Sequence, residues 1–475
     1  MNHPDPERFS GADALMLNLE TPTTPMHTLK VAVLDTARRG RPVTVAELAE
    51  VLPRYLGAFP RATQRVVCAP GRTVRPFWVR ENAFDITAHL DEITLPAPGG
   101  RADLDELCAE LAVRQLDRSR PLWALTLVHG LEGGRQAVVI RVHHAVADGL
   151  AALNTLMAAT GTAGESVRPA PVDPIVPTTP SAALTRSARR ESRRLIAGLP
   201  AVVAAFWRAA RHSAATDSAR HIPLPLTVRR TSFNTPSGAR RVCASAQIPL
   251  ADVQRIAVAL DTTVNGALHG IIAGAMRAEL AERGDDLRHP SVTVFGVCRD
   301  LTSTRTEGNQ VATAAAFMRT DIADPIERIR ATADSCAATV ERRKRIGFDL
   351  TESVATYSGR VGPMFRGLAA HRAPRVMNTI TTANLPGPRE TRWIGDIELV
   401  DWVSFALAIA PADVNLTTYS YAGVLSMGLI STPESMPDAA RFLRRISESL
   451  RETRDALAAS AMPLDDPVSS ARDQR

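Results

Sequence analysis

The sequence predicts an α/β (α+β) protein of two or three domains. Three observations carry this reading. A chain of 475 residues exceeds what one hydrophobic core usually serves. In the first half, strand-like apolar runs alternate with helical ones and close in a hairpin. The second half has strands and helices enough for a domain of its own, beyond a proline-rich break.

Taken in order, Leu29 to Leu34 reads as a strand. Thr44-Val45-Ala46-Glu47 has capping-box spacing and opens a helix through Leu52. Pro76 to Val79 is a short strand, and Asp103 starts a helix with Leu104, Leu107 and Leu111 on one face. Pro121-Leu122-Trp123 begins a strand to Val128; Gly130 to Gly134 turns the chain into a second strand, Ala137 to Val142. Prolines 169, 171, 174, 177 and 180 mark a linker, followed by a helix over Ala182 to Ala214. The first half of that helix is arginine-rich and the second apolar. Two readings fit it, a helix lying in a membrane interface or a crossover packed between domains, and the crossover is favoured. Further helices are expected at Leu250 to Leu260, Val264 to Leu280, Pro325 to Arg343 and Pro437 to Ser460. Strands are expected at Val292 to Val297, Ala312 to Met318, Val376 to Ala383, Ile397 to Phe405 and Val414 to Ile430. The resulting division is 1–160, a crossover at 161–225, a second domain at 226–460, and a disordered tail at 461–475.

Composition narrows the function. A hydrophobic fraction of 45% with 22% charged residues is ordinary for a soluble globular chain. The formal charge of +6 rests on arginine, since the only lysines are Lys30 and Lys344. Such a surface suits anionic lipid headgroups or a phosphorylated acyl carrier. Nucleic acid is excluded as a partner by the lack of zinc-finger spacing, RNP-like aromatics or a basic-region helix. The five cysteines are scattered without C-x-x-C spacing, which argues against a disulfide framework or a zinc site. No metal site is expected. The polar amino terminus and the lack of a ~20-residue apolar run lead us to expect a cytoplasmic protein, free or peripherally bound to the inner membrane or lipid droplets.

The chemistry concentrates at His143-His144-Ala145-Val146-Ala147-Asp148-Gly149, between a strand and an Ala/Leu-rich helix. A histidine there serves as general base near neutral pH. No Gly-x-Ser-x-Gly elbow, Walker loop, H-E-x-x-H or dinucleotide fingerprint accompanies it. A lone base suits direct transfer, in which a hydroxyl loses its proton as it attacks an activated acyl group. A thioester is a fitting donor because its thiolate leaves readily. Asp148 lies across a turn from His144, and Asp148-Gly149 is better suited to pinning the loop through an arginine than to relaying a proton.

The chain resembles the bacterial wax ester synthase/diacylglycerol acyltransferase family, within the wider His-His-x-x-x-Asp-Gly acyltransferases. Besides the histidine motif, the likeness rests on Thr24-Pro25-Met26-His27, Leu116 to Trp123, Thr263-Val264-Asn265, Gly308-Asn309, Asn384-Leu385-Pro386-Gly387-Pro388 and Ser420 to Gly423. It implies two chloramphenicol-acetyltransferase-like domains, each a mixed sheet flanked by helices, forming a pseudo-dimer around a central channel. It implies long-chain acyl-CoA as donor, diacylglycerol or a long-chain alcohol as acceptor, and no cofactor, CoA being a product. His144 would be the base, His143 would shape the site, and Asp148 and Gly149 would be structural. Arg299 matches a position where the family often has arginine and is a candidate partner for Asp148. Pro121, Leu122, Trp123, Asn265 and Asn384 are candidate structural or channel-lining residues. The family commonly has Asn-Asp where this chain has Asn265-Gly266; Asn265 could still cap its helix. Two alternatives remain: transfer to a polyketide-type or other complex alcohol, and a catalytically silent lipid-binding protein.

Overall fold

The computed structural model describes residues 7–68, 75–165, 167, 168, 170, 181–214, 222, 223, 227–235, 238–350, 352–357, 375–410 and 412–460. The proline-rich linker falls largely outside these residues, as does the tail after 460. The first half runs α1 (Gly11–Leu19), β1 (His27–Asp35), α2 (Val45–Val51), β2 (Gln64–Val67), β3 (Phe77–Arg80), β4 (Leu90–Thr94), α3 (Arg101–Leu111), β5 (Trp123–Leu131), β6 (Arg135–His143) and α4 (Gly149–Ala159). After it comes α5 (Ser181–Ala214). The second half runs β7 (Val228–Arg229), β8 (Val242–Pro249), α6 (Leu250–Ala259), α7 (Val264–Glu282), β9 (Ser291–Cys298), β10 (Val311–Met318) and α8 (Pro325–Ile346). It closes with β11 (Arg375–Val376), β12 (Ile380–Leu385), β13 (Arg392–Ile394), β14 (Ile397–Phe405), β15 (Asn415–Tyr421), β16 (Val424–Ser431) and α9 (Ala439–Ala459).

Two six-stranded mixed sheets result, in keeping with the architecture the family resemblance implies. The first has the order β13-β14-β1-β6-β5-β4 and the second β10-β9-β12-β15-β16-β8. Within the first, β4 and β5 are parallel while β1, β5, β6 and β14 pair antiparallel. The expected hairpin forms, with Trp123 opposite Val142 and Val128 opposite Ala137. Alternation along β1 and β6 then sends side chains to two different cores. Leu29, Val31, Ala137 and Val139 meet Leu104, Leu107 and Leu111 of α3. Ala32, Leu34 and Val138 turn to the other face, towards Leu150, Leu153 and Leu156 of α4. That second core also takes Leu385, Tyr419 and Tyr421 from the second sheet, so the two halves share apolar packing beside the motif.

Local signals explain most helix starts. Thr44 and Glu47 close the anticipated capping box on α2, and Gly100 with Asp103 opens α3. The first residue of α1, Gly11, is held by Glu352, whose second carboxylate oxygen accepts from Ala12 N at 3.2 Å.

Two features differ from what chain order suggests. Strands β13 and β14, placed by position in the second domain, complete the first sheet instead: Leu29 to Asp35 pair with Phe405 to Glu398. Among the described residues, the contacts of helix α5 with the body fall on its first half. Leu184 and Ala188 bury against Phe77, and Arg75 bonds Glu191 at 2.5 Å.

The crossing strand brings the two sheets into backbone contact. A Cβ at Gly428 of β16 would collide with the Ser404 carbonyl of β14 and meet Val403 Cγ1 at 3.1 Å. A carbonyl in a β-strand has no flexible end to withdraw. Gly428→Ala is therefore expected to lower stability by about 1–3 kcal/mol, read as a shifted midpoint in chemical denaturation.

Candidate active site

Strand β6 ends on His143, and the next six residues turn into α4. The two histidines point to opposite faces of the sheet and acquire opposite tautomers. His143 is fully buried and accepts the Ala145 N–H on Nδ1 at 3.0 Å. Its proton therefore sits on Nε2, which lies 3.6 Å from Glu20 Oε1. Burial pushes its imidazole well below the ordinary value, and the Arg118 charge adds to this. A neutral ring that shapes the turn is the result.

His144 is half-buried and differently held. Its backbone N–H donates to Met26 O at 2.7 Å. Its Nδ1 lies 2.9 Å from Asn309 Oδ1. The Asn309 amide is oriented from both sides: Nδ2 donates to Asp13 Oδ1 at 2.7 Å and to the His144 carbonyl at 2.6 Å. With Nδ2 committed to two acceptors, Oδ1 faces the ring as an acceptor, so Nδ1 carries the hydrogen. The basic lone pair is left on Nε2, which has no hydrogen-bond partner among the described residues. Burial pushes the His144 pKa down, and the Asp148 charge partly opposes this. An imidazole that is neutral at neutral pH with a free Nε2 is a ready general base.

Asp13 is itself fixed by the sequence around it. Ser10 and Asp13 form the capping box of α1, with Ser10 Oγ accepting from Asp13 N at 3.0 Å. Its other carboxylate oxygen is thereby free to accept from both Asn309 N, at 3.0 Å, and Asn309 Nδ2. Burial raises the Asp13 pKa while the Asn309 and Ser10 bonds hold it down.

Asp148 is held by contacts that pin the loop. It caps α4 by accepting from Ala151 N at 2.9 Å, and it accepts from Gln310 N at 2.9 Å. Its ion-pair partner is Arg305, not Arg299. Arg299 continues the β9–β10 ladder through its N–H to Gln310 O at 3.1 Å and extends its side chain to Asp349. Six residues on, the chain has turned beneath the motif. There Arg305 Nη1 also donates to Gly308 O at 2.7 Å, and Ala147 bridges Gly308. Gly149 is required by close approach: a Cβ there would meet Leu385 Cδ1 at 2.6 Å and Tyr419 Oη at 3.1 Å. The Tyr419 hydroxyl donates to Gly149 O at 2.9 Å.

The remaining candidates divide. Pro121, Leu122 and Trp123 lie buried behind the motif. Leu122 packs with Ala145, Val146 and Ala147, and its carbonyl accepts from His143 N at 3.0 Å. Trp123 donates Nε1 to Ala62 O at 2.9 Å and stacks on His89. Asn265 does not cap α7. Thr263 does, accepting from Gly266 N at 3.0 Å, because the helix begins at Val264 and Asn265 already lies inside its first turn. Asn265 and Asn384 are brought together, Asn384 Nδ2 donating to Asn265 Oδ1 at 3.2 Å.

Asp13, Arg305 and Lys30 were not singled out by sequence, and Asn309 had no assigned role. Lys30 lies on the His144 face of β1, donates to Ser404 Oγ at 2.6 Å, and sits 5.6 Å from the Tyr419 ring centre. Burial pushes its pKa down to about 8. The Ser-x-x-Asp capping box is the signal that could have found Asp13; the others depend on contacts across the chain. If Asn309 fixes the ring, Asn309→Leu should stay folded and lose about 10- to 100-fold in kcat with KM little changed. A steady-state comparison with the parent chain reads this directly.

Residues 9–268 match the wax ester synthase/diacylglycerol acyltransferase catalytic domain. Residues 307–454 match the C-terminal domain of the same family. A Mycobacterium tuberculosis protein, provisionally named a diacylglycerol O-acyltransferase, is 30% identical over 459 residues, covering 94% of this chain and 90% of that protein. The wax ester synthase/diacylglycerol acyltransferase from Marinobacter aquaeolei VT8 superposes with a TM-score of 0.69 at 21% identity, over 95% of this chain and 99% of that one. A condensation domain of the calcium-dependent antibiotic synthetase superposes with a TM-score of 0.60 at 14% identity, over 98% of this chain and 99% of that one. These likenesses establish the two-sheet, acyltransferase-like fold. By the match of its domains, the chain belongs to the wax ester synthase/diacylglycerol acyltransferase family.

Proposed function

We propose that this protein transfers a long-chain acyl group from acyl-CoA to the hydroxyl of diacylglycerol, giving triacylglycerol, with long-chain alcohols as further acceptors. The observation that carries the reading is the tautomer of His144, whose Nε2 is left as a free base. In the reaction, Nε2 takes the acceptor's hydroxyl proton as its oxygen bonds to the thioester carbonyl carbon. The tetrahedral intermediate then expels the CoA thiolate, the carbon–sulfur bond breaks, and the imidazolium returns the proton to sulfur. No covalent enzyme intermediate is needed, in keeping with the lack of a nucleophile elbow. His143 holds the turn, while Asp148 and Gly149 hold the loop through Arg305 and Tyr419. Asn265 and Asn384 support the second-sheet side of the site. This reading includes a cytoplasmic protein at a membrane or lipid-droplet surface, where its acceptor and product reside.

His144→Ala should fold normally and lose about 100- to 10,000-fold in CoA release with diacylglycerol present. Wild-type turnover in that variant would reject the mechanism. The pH profile supplies an independent check. Nε2 must be unprotonated to act, and burial holds its pKa below the ordinary 6.5. Activity should therefore persist down to pH 6.5 and fall only as the pH drops through the lowered value. An acid limb of kcat/KM above pH 7 would contradict this environment for the base.

A further inference from the structure

The positive charge and the exposed apolar side chains of the protein meet on one helix. Helix α5 contains seven arginines and one glutamate, an excess of six positive charges that equals the formal net charge of the whole chain. The rest of the sequence is thus electrically balanced. The single Glu191 is engaged by Arg75. Arg186, Arg189, Arg190, Arg193, Arg194, Arg208 and Arg211 are all exposed.

Five of the eleven exposed large apolar side chains among the described residues lie on the same helix. Ile196, Leu199, Val203, Phe206 and Trp207 are 69%, 47%, 46%, 50% and 58% exposed. Their spacing places them on one helical face about 100° wide. Most of the arginines lie along one flank of that stripe. The opposite flank turns to the body, where Leu184 and Ala188 are buried and Tyr357 donates to Leu195 O at 2.7 Å. An exposed apolar stripe edged with guanidinium groups has the chemistry of an interfacial helix: apolar side chains enter the acyl layer while arginines meet phosphates. Trp207 also combines a large apolar ring with a polar N–H suited to the headgroup level.

We propose that α5 docks the protein onto an anionic phospholipid bilayer, with the stripe from Ile196 to Trp207 inserted and the arginine flank on the headgroup phosphates. This deepens the surface association of the proposed function and relies on that reading only for its purpose. The charge complementarity of the helix selects an anionic surface over a second copy of this similarly basic chain.

The test is co-sedimentation of the full chain with vesicles, either of pure phosphatidylcholine or with about a quarter phosphatidylglycerol. Binding is expected to the anionic vesicles only, weakening as salt rises. Val203→Ser/Phe206→Ser/Trp207→Ser changes exposed positions and should keep the melting temperature while abolishing binding. Arg190→Gln/Arg193→Gln/Arg194→Gln should weaken it roughly 100-fold. Equal binding by the parent and the stripe variant, or no binding to either vesicle, would overturn the proposal. So would a self-association of the parent that the stripe variant loses, since the stripe would then cover a second copy. His144→Ala should bind like the parent, so a failure of docking and a failure of the chemistry are read separately.

Discussion

The candidate active site depends on the clamp between Asp148 and the β9–β10 loop. Asp148 accepts from Arg305, from Gln310 N and from Ala151 N, so one buried carboxylate ties together the motif, the first turn of α4 and a loop of the other sheet. It is 2% exposed, and Arg305 is partly buried. Removing one partner of such a pair strands the other charge and costs about 3–5 kcal/mol. The clamp also fixes a distance. By pinning Gly308 against Ala147, it delivers the next residue, Asn309, to the His144 ring. The electrostatic anchor of the loop and the tautomer of the base are therefore consequences of one contact.

The paired histidines show how one motif holds two different rings. Neighbours on a strand face opposite ways. His143 enters the closed side, where a backbone N–H occupies Nδ1 and forces the hydrogen onto Nε2. His144 enters the side shared by both sheets, where an amide oxygen occupies Nδ1 and leaves Nε2 basic. Exchanging the two environments would exchange the roles. Chemical identity alone does not decide which histidine keeps a free Nε2.

This difference marks what was legible in the sequence. The hairpin, the strand-to-helix turn and the helix starts follow from period and capping residues close together in the chain, and these were read correctly. That Asp148 would pair with an arginine was legible too, since Asp-Gly at a strand-to-helix turn suits pinning the loop. The identity of that arginine was not. Arg299 and Arg305 are six residues apart in one loop, and only the path of that loop beneath the motif decides between them. Asp13 and Asn309 are 296 positions apart and Lys30 and Ser404 are 374 apart, so neither pairing leaves a local pattern. The crossing of β14 was hidden for the same reason. Its alternation shows a strand but carries no label for the sheet it joins.

That crossing gives the site its rigidity. Ser404 of β14 receives the buried Lys30 ammonium, and its carbonyl lies against Gly428 of β16. The strand paired with β1 thus touches the second sheet by its backbone. Tyr419 of β15 closes the same region by donating to Gly149, at the first turn of α4. A hinge between the two halves would have to break the Asp148 clamp, the Tyr419 bond and this backbone contact together. The contact that gives His144 its free Nε2 is therefore made by a loop held at several points. The orientation of the His144 ring is thus set by the packing of the two halves.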